Sequence, residues 1–140
     1  LIASASRDGR RLIAVALHSD DRYRDCINMF DYGFQVVRPV TVADAGETLT
    51  NVAVSGGVKD RVELAAENNL AIRLDPDDLP NLERKVEVKE PVAAPVKKGQ
   101  RLGECVYTLQ GQELGRVRLL AAEELSRPGW HRQIWDRVFN

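Results

Sequence analysis

The chain has 140 residues, of which 44% are apolar and 29% charged, with a formal net charge of −1. That balance is of a folded chain, with room for one ordinary domain or one small domain plus part of another. Near-neutral charge argues against a general nucleic-acid binder, which needs a concentrated basic surface, and no apolar run approaches the about 20 residues of a spanning helix.

Leu1-Ile2-Ala3-Ser4-Ala5-Ser6 reads as a short apolar strand, and Asp8-Gly9 as the centre of a two-residue hairpin turn. The return strand, Leu12 to Leu17, is apolar at every position and does not alternate. Such a strand is buried on both faces of a covered sheet, and a lone hairpin cannot cover it. Other strands and a second layer are therefore expected from outside these residues. The absence of a Met or a signal peptide ahead of Leu1 points the same way, to a mature or excised chain.

After Asp20 the period becomes helical. Tyr23, Cys26, Ile27, Phe30 and Phe34 share one face, Asp20 or Asp21 can cap the start, and Arg38-Pro39 ends the helix. One helix covers one face of the hairpin and leaves the other bare.

From Pro39 to about Glu124 the pattern is all-β. Strands are expected over 48–54, 61–66, 70–74, 82–88, 102–109 and 114–120, separated by Gly-, Pro- and Asn-rich turns. Val62 and Leu64 point inward against Arg61 and Glu63, which suits a small antiparallel sandwich. Ala94-Pro95-Val96-Lys97-Lys98-Gly99-Gln100 reads as an apolar stub entering a hairpin turn, with Gly99 supplying a positive φ and the second strand leaving through Leu102.

The end of the chain is amphipathic. Trp130, Ile134, Trp135, Val138 and Phe139 fall on one half of a helix, with Arg132, Gln133, Asp136 and Arg137 on the other. The segment is too short to span a bilayer, and its indoles and arginines suit a helix lying at the membrane surface, although the same face could instead pack on protein.

The residues supply little chemistry. Cys26 and Cys105 lack CxxC spacing and, with His18 and His131, form no recognisable zinc set, so two unpaired, half-buried thiols are expected. His18 with Asp20 and a nearby Ser lacks a nucleophile elbow, and Asp75, Asp77 and Asp78 lack the Gly and Glu of a calcium loop, so both read as ordinary polar and turn residues. No cofactor and no metal site is expected.

Three pieces carry a family resemblance. Arg11-Leu12-Ile13-Ala14-Val15 after the Asp-Gly turn, Arg22-Tyr23-Arg24-Asp25, and Phe30-Asp31-Tyr32-Gly33-Phe34 resemble the end of a penicillin-binding D-alanyl-D-alanine carboxypeptidase domain. The segment around Ala94 to Gln100, with Leu119-Leu120-Ala121-Ala122-Glu123, resembles that family's C-terminal β-domain, and the amphipathic end resembles the start of its membrane anchor. The resemblance implies a β-hairpin and helix (1–38) completing a β-lactamase/transpeptidase-like α/β domain, a small all-β antiparallel sandwich (39–125), and a membrane-proximal amphipathic helix (126–140).

It also implies a bacterial protein at the outer face of the cytoplasmic membrane that trims peptidoglycan stem peptides and is acylated by β-lactams. The family's Ser-x-x-Lys, Ser-x-Asn and Lys-Thr-Gly motifs are not in this sequence, because Ser4, Ser6, Ser19, Ser55 and Ser126 stand in neither serine pattern and Lys98-Gly99 has no intervening Thr. The catalytic residues are thus expected upstream of Leu1, this chain alone should be inactive, and its first partner is the rest of the catalytic domain. Arg22 matches a family arginine at the edge of the cleft and is the one candidate substrate-binding residue, for the terminal carboxylate of the peptide. A carrier module is the alternative, since Lys97-Lys98-Gly99 is also similar to lipoyl or biotinyl hairpins, though without their flanking residues. Binding of peptidoglycan or another partner by the β-domain is a further alternative, and no aromatic platform supports it.

Overall fold

A computed structural model of the chain describes residues 1–89 and 91–129. The fold is predominantly β, with few helices. It divides into two units, one of Leu1–Val40 with Ile72–Asn81, the other of Thr41–Ala71 with Leu82 onward. The 72–81 segment therefore leaves the all-β stretch to which its sequence was assigned, a grouping that only long-range contacts create.

In the first unit, β1 (Ile2–Arg7) and β2 (Arg10–Val15) form an antiparallel hairpin in which Arg7 faces Arg10. The two turn residues, Asp8 and Gly9, both have positive φ (51° and 72°), the conformation that matches a hairpin's twist. Helix α1 (Arg22–Asp31) is capped by the Asp21 carboxylate, which accepts from the Arg24 N–H at 3.1 Å. Cys26 of α1 packs with Ala14 of β2 and with Ala16 just beyond it, and Leu1, Ala3 and Phe30 join them. The small alanines let the helix lie close to the strand.

The helix continues into a π-helical turn, Tyr32–Val36, before Arg38-Pro39 ends it. Arg10 explains the ordering: its guanidinium donates to the Val37 carbonyl at 3.1 Å and to that of Gly33, satisfying carbonyls that the helix end leaves free. The expected apolar stripe is only half used. Cys26 is buried, but Tyr23 and Ile27 are 67% and 60% exposed, because the hairpin is too narrow to reach them.

In the second unit, β4 (Thr48–Ser55), β5 (Arg61–Ala66), β7 (Glu83–Val88), β8 (Val92–Ala93), β9 (Arg101–Leu109) and β10 (Gln112–Ala121) make a six-stranded sheet in the order β7-β9-β10-β5-β4-β8. The alternation read in β5 holds, with Val62, Leu64 and Ala66 buried between exposed Arg61 and Glu63. Leu64, Leu119, Leu125, Val62, Val96 and Cys105 are the most completely buried large side chains. Two strands were not anticipated: β3 (Arg38–Ala43), which pairs with β6 (Leu70–Leu74), and the short β8. Pro39 is the second residue of β3, which belongs to a two-stranded sheet, so its missing N–H breaks no interior ladder.

The Lys97–Gln100 turn is real, with Gly99 at φ 81°, but it is not a hairpin. The segment before it runs parallel to β4 through β8 and then bridges Val96 to Leu125, while β9 pairs with β7 and β10. A turn with Gly at its tip fixes a change of direction without fixing its partners. Both cysteines are free and fully buried, not half-buried.

Tyr107 is the sole aromatic residue between Thr41 and Gly129, and it lies inside the second unit, donating its hydroxyl to the Val42 carbonyl at 3.1 Å. Burial, aided by the neighbouring Cys105, pushes its pKa up to about 12, and burial also raises that of Cys105. An acid whose folded pKa lies above its unfolded value stabilises the fold below the unfolded pKa and loses that contribution as pH rises toward the folded one. Urea midpoints are therefore expected to fall steeply between pH 10 and 12. Tyr107→Phe should flatten that fall while costing about 1 kcal/mol at neutral pH through the lost hydrogen bond.

Candidate functional site

The sequence names one candidate for ligand contact in the described residues, Arg22, and the structure puts it at the first position of α1 with its side chain exposed. An arginine at a helix start faces the positive end of the helix dipole, so nothing in the helix itself favours it there. The hairpin face that α1 leaves uncovered is apolar. Ile2, Ile13, Val15 and Leu17 are 74%, 68%, 50% and 80% exposed, on the face of the hairpin opposite the helix. A shallow open cavity of about 380 Å³ lies between the end of β2 and α1, with Leu17, Asp25 and Met29 among its walls. Within it the Ser19 hydroxyl donates to the Asp25 carboxylate.

That bond uses the serine that could have served His18. His18 stands exposed at positive φ (53°), and among the described residues no hydrogen bond joins it to Ser19 or Asp20. Asp75 is equally committed: its carboxylate accepts from the Asp77 N–H at 3.0 Å and from the Tyr32 hydroxyl at 3.1 Å. It caps the Pro76–Asn81 turn. That acceptor bond raises the Tyr32 pKa.

Lys97 and Lys98 sit on a turn tied to the sheet. The Lys97 N–H donates to the Gln100 side chain at 3.0 Å and the Gly99 N–H to the Ala121 carbonyl at 2.8 Å. The turn is strapped against the end of β10, which is a poor platform for a swinging lysine. On β9 and β10, Arg116 is bidentate to Glu113 (2.7 and 2.8 Å) and also reaches Glu104 at 2.9 Å, while Arg101 bonds Glu104. These contacts lower the Glu113 pKa and raise that of Arg116. The pairs are exposed and supply register more than stability. Trp130, Ile134, Trp135, Val138 and Phe139, the expected membrane face, lie outside the described residues.

Sequence comparison gives the context. A family model described as penicillin-binding protein 5, C-terminal domain, matches residues 38–127. The chain is 29% identical over 142 aligned residues to D-alanyl-D-alanine carboxypeptidase DacC of Escherichia coli, covering 99% of this chain and 36% of that protein. It is 25% identical to DacF of Bacillus subtilis, which carries the same description, covering 93% of this chain and 34% of the relative. Among solved structures, penicillin binding protein 5 from Haemophilus influenzae superposes with a TM-score of 0.63 at 24% identity, over 91% of this chain and 38% of that one. A peptidoglycan synthesis regulatory factor (PBP3) from Streptococcus pneumoniae gives 0.62 at 16%, over 89% and 39%. At these identities the superpositions establish the fold alone. The chain spans about a third of the length of the curated relatives it matches.

Proposed function

The chain belongs to the penicillin-binding protein 5 C-terminal domain family, and from that premise we propose that it is the C-terminal part of a serine-type D-Ala-D-Ala carboxypeptidase. The whole protein would trim the terminal D-Ala from peptidoglycan stem peptides through a serine acyl-enzyme and would be acylated by β-lactams. The observation that carries the reading is the apolar hairpin face, covered on one side by α1 and open on the other. A longer protein supplies what covers it: the hairpin and helix (1–38) complete a β-lactamase/transpeptidase-like α/β domain, and the nucleophile comes from upstream sequence.

In this reading 39–125 is a small sandwich acting as a stalk. The 126–140 segment places Trp130, Ile134, Trp135, Val138 and Phe139 in the outer face of the cytoplasmic membrane. Arg22, exposed at the start of α1, would bind the terminal carboxylate of the stem peptide through its guanidinium.

The test is made on the complete protein. It should release one D-Ala from a peptide ending in D-Ala-D-Ala and take up a fluorescent penicillin on a serine outside this chain. Arg22→Gln should lower turnover about tenfold or more with no change in melting temperature. Absence of both release and acylation overturns the activity. Unchanged turnover in the variant removes Arg22 from the site.

A further inference from the structure

Four guanidinium groups that the carboxypeptidase reading does not use border one cavity. Arg7 ends β1, Arg10 begins β2, Arg38 opens β3 and Arg73 lies on β6, and all four line a pocket of about 240 Å³ within the first unit. Phe34 forms part of the wall, and Asp8 is the sole carboxylate in the lining. The charge is therefore far from balanced, with four cations against one anion.

The four do not share one role. Arg10 is spent on the carbonyls of Gly33 and Val37 and is structural. Both it and Arg7 lie over the Phe34 ring, at 5.6 and 4.9 Å from its centroid. Stacking of this kind orients a guanidinium and leaves its edge N–H groups able to donate. Arg38 and Arg73 are exposed, and among the described residues neither enters an ion pair or a side-chain hydrogen bond. Like charges gathered without partners oppose folding, and structural arginines normally acquire a carboxylate or carbonyl. Among the described residues the N–H forks of Arg38 and Arg73 are unspent, beside a cavity of about 240 Å³ that is large enough for a phosphate group.

We infer that this pocket binds a phosphate oxyanion, with Arg38 and Arg73 donating to its oxygens and Arg7, held on Phe34, supplying the third cation. Guanidinium matches phosphate in a bidentate geometry, and a di-anion or a diphosphate offsets the excess charge where one carboxylate would not. The group could come from a soluble phosphate compound or from a lipid headgroup, and both present the same oxygens. The inference uses only residues of this chain that are separate from the catalytic motifs, so loss of anion binding and loss of carboxypeptidase activity are independent results.

Titration calorimetry of the complete protein with sodium pyrophosphate at low salt should show saturable binding that weakens about tenfold on raising ionic strength from 50 to 300 mM. Arg38→Gln and Arg73→Gln should each weaken it about fivefold, without moving the melting temperature of the ligand-free protein, because neither side chain holds the fold together. In a parallel arm, flotation with phosphatidylcholine vesicles containing a quarter phosphatidylglycerol distinguishes the sources. Retention on these vesicles that both substitutions reduce, with no pyrophosphate binding, assigns the pocket to a lipid headgroup. Pyrophosphate binding that both substitutions reduce assigns it to a soluble phosphate. Binding of neither probe, or binding that both substitutions leave unchanged, overturns the inference.

Discussion

Gly103→Ala is expected to destabilise the β-rich unit by about 3 kcal/mol, lowering its melting temperature by about 10 °C or more. Gly103 lies on β9, opposite Val88 of β7 on one side and Leu119 of β10 on the other. A Cβ built there would sit 2.4 Å from the Glu87 carbonyl oxygen and 3.1 Å from the Val88 Cα. Those are backbone atoms of the paired strand, so no side-chain rotation relieves the overlap. The β7 strand must move away from β9, and the ladder from Glu83 to Val88 is strained with it. Against this, alanine regains only about 0.5–1 kcal/mol of backbone entropy. Hydrogen exchange should show the loss first in the amides of β7. A variant melting within about 2 °C of the parent would show that the two strands tolerate separation and would refute the argument.

The strands of the all-β stretch were legible because one rule governs them. The 61–66 and 70–74 spans agree with β5 and β6, since alternating burial over a short run between turn residues leaves one register that hides Val62, Leu64 and Ile72. What failed was pairing. Gly99 announces a turn, but only the fold shows that Val96 answers Leu125 and Val92 lies parallel to Val54. β3 was missed because Arg38-Pro39 reads as a helix stop, and a stop does not declare that a strand begins. The candidate site shows the same limit. Arg22 came from a local motif, whereas the arginine pocket draws on Arg7, Arg10, Arg38 and Arg73, which no spacing in the sequence relates. Such a cluster exists only after Arg73 is placed in the first unit, a fact carried by contacts and not by pattern.

The hairpin was legible for a different reason: its sequence disagrees with its surroundings. Ala14 and Ala16 are buried while Ile13, Val15 and Leu17, the larger side chains, are exposed. A chain that ended its folding here would have the assignment reversed, with large side chains inward. The proposed longer protein resolves the conflict by covering Ile13, Val15 and Leu17, which gives each about 1.5–3 kcal/mol of burial. The triple variant Ile13→Ser, Val15→Ser, Leu17→Ser should therefore cost the complete protein about 5 kcal/mol or more, comparable with the whole stability of a domain. The expected result is a collapse in soluble yield and in penicillin labelling. A double variant at exposed positions of the second unit, Lys59→Ser with Arg61→Ser, should leave both intact within about 1 kcal/mol. If the triple variant instead melts like the parent and still releases D-Ala, the face is open in the whole protein, and the upstream residues must pack against something other than this hairpin.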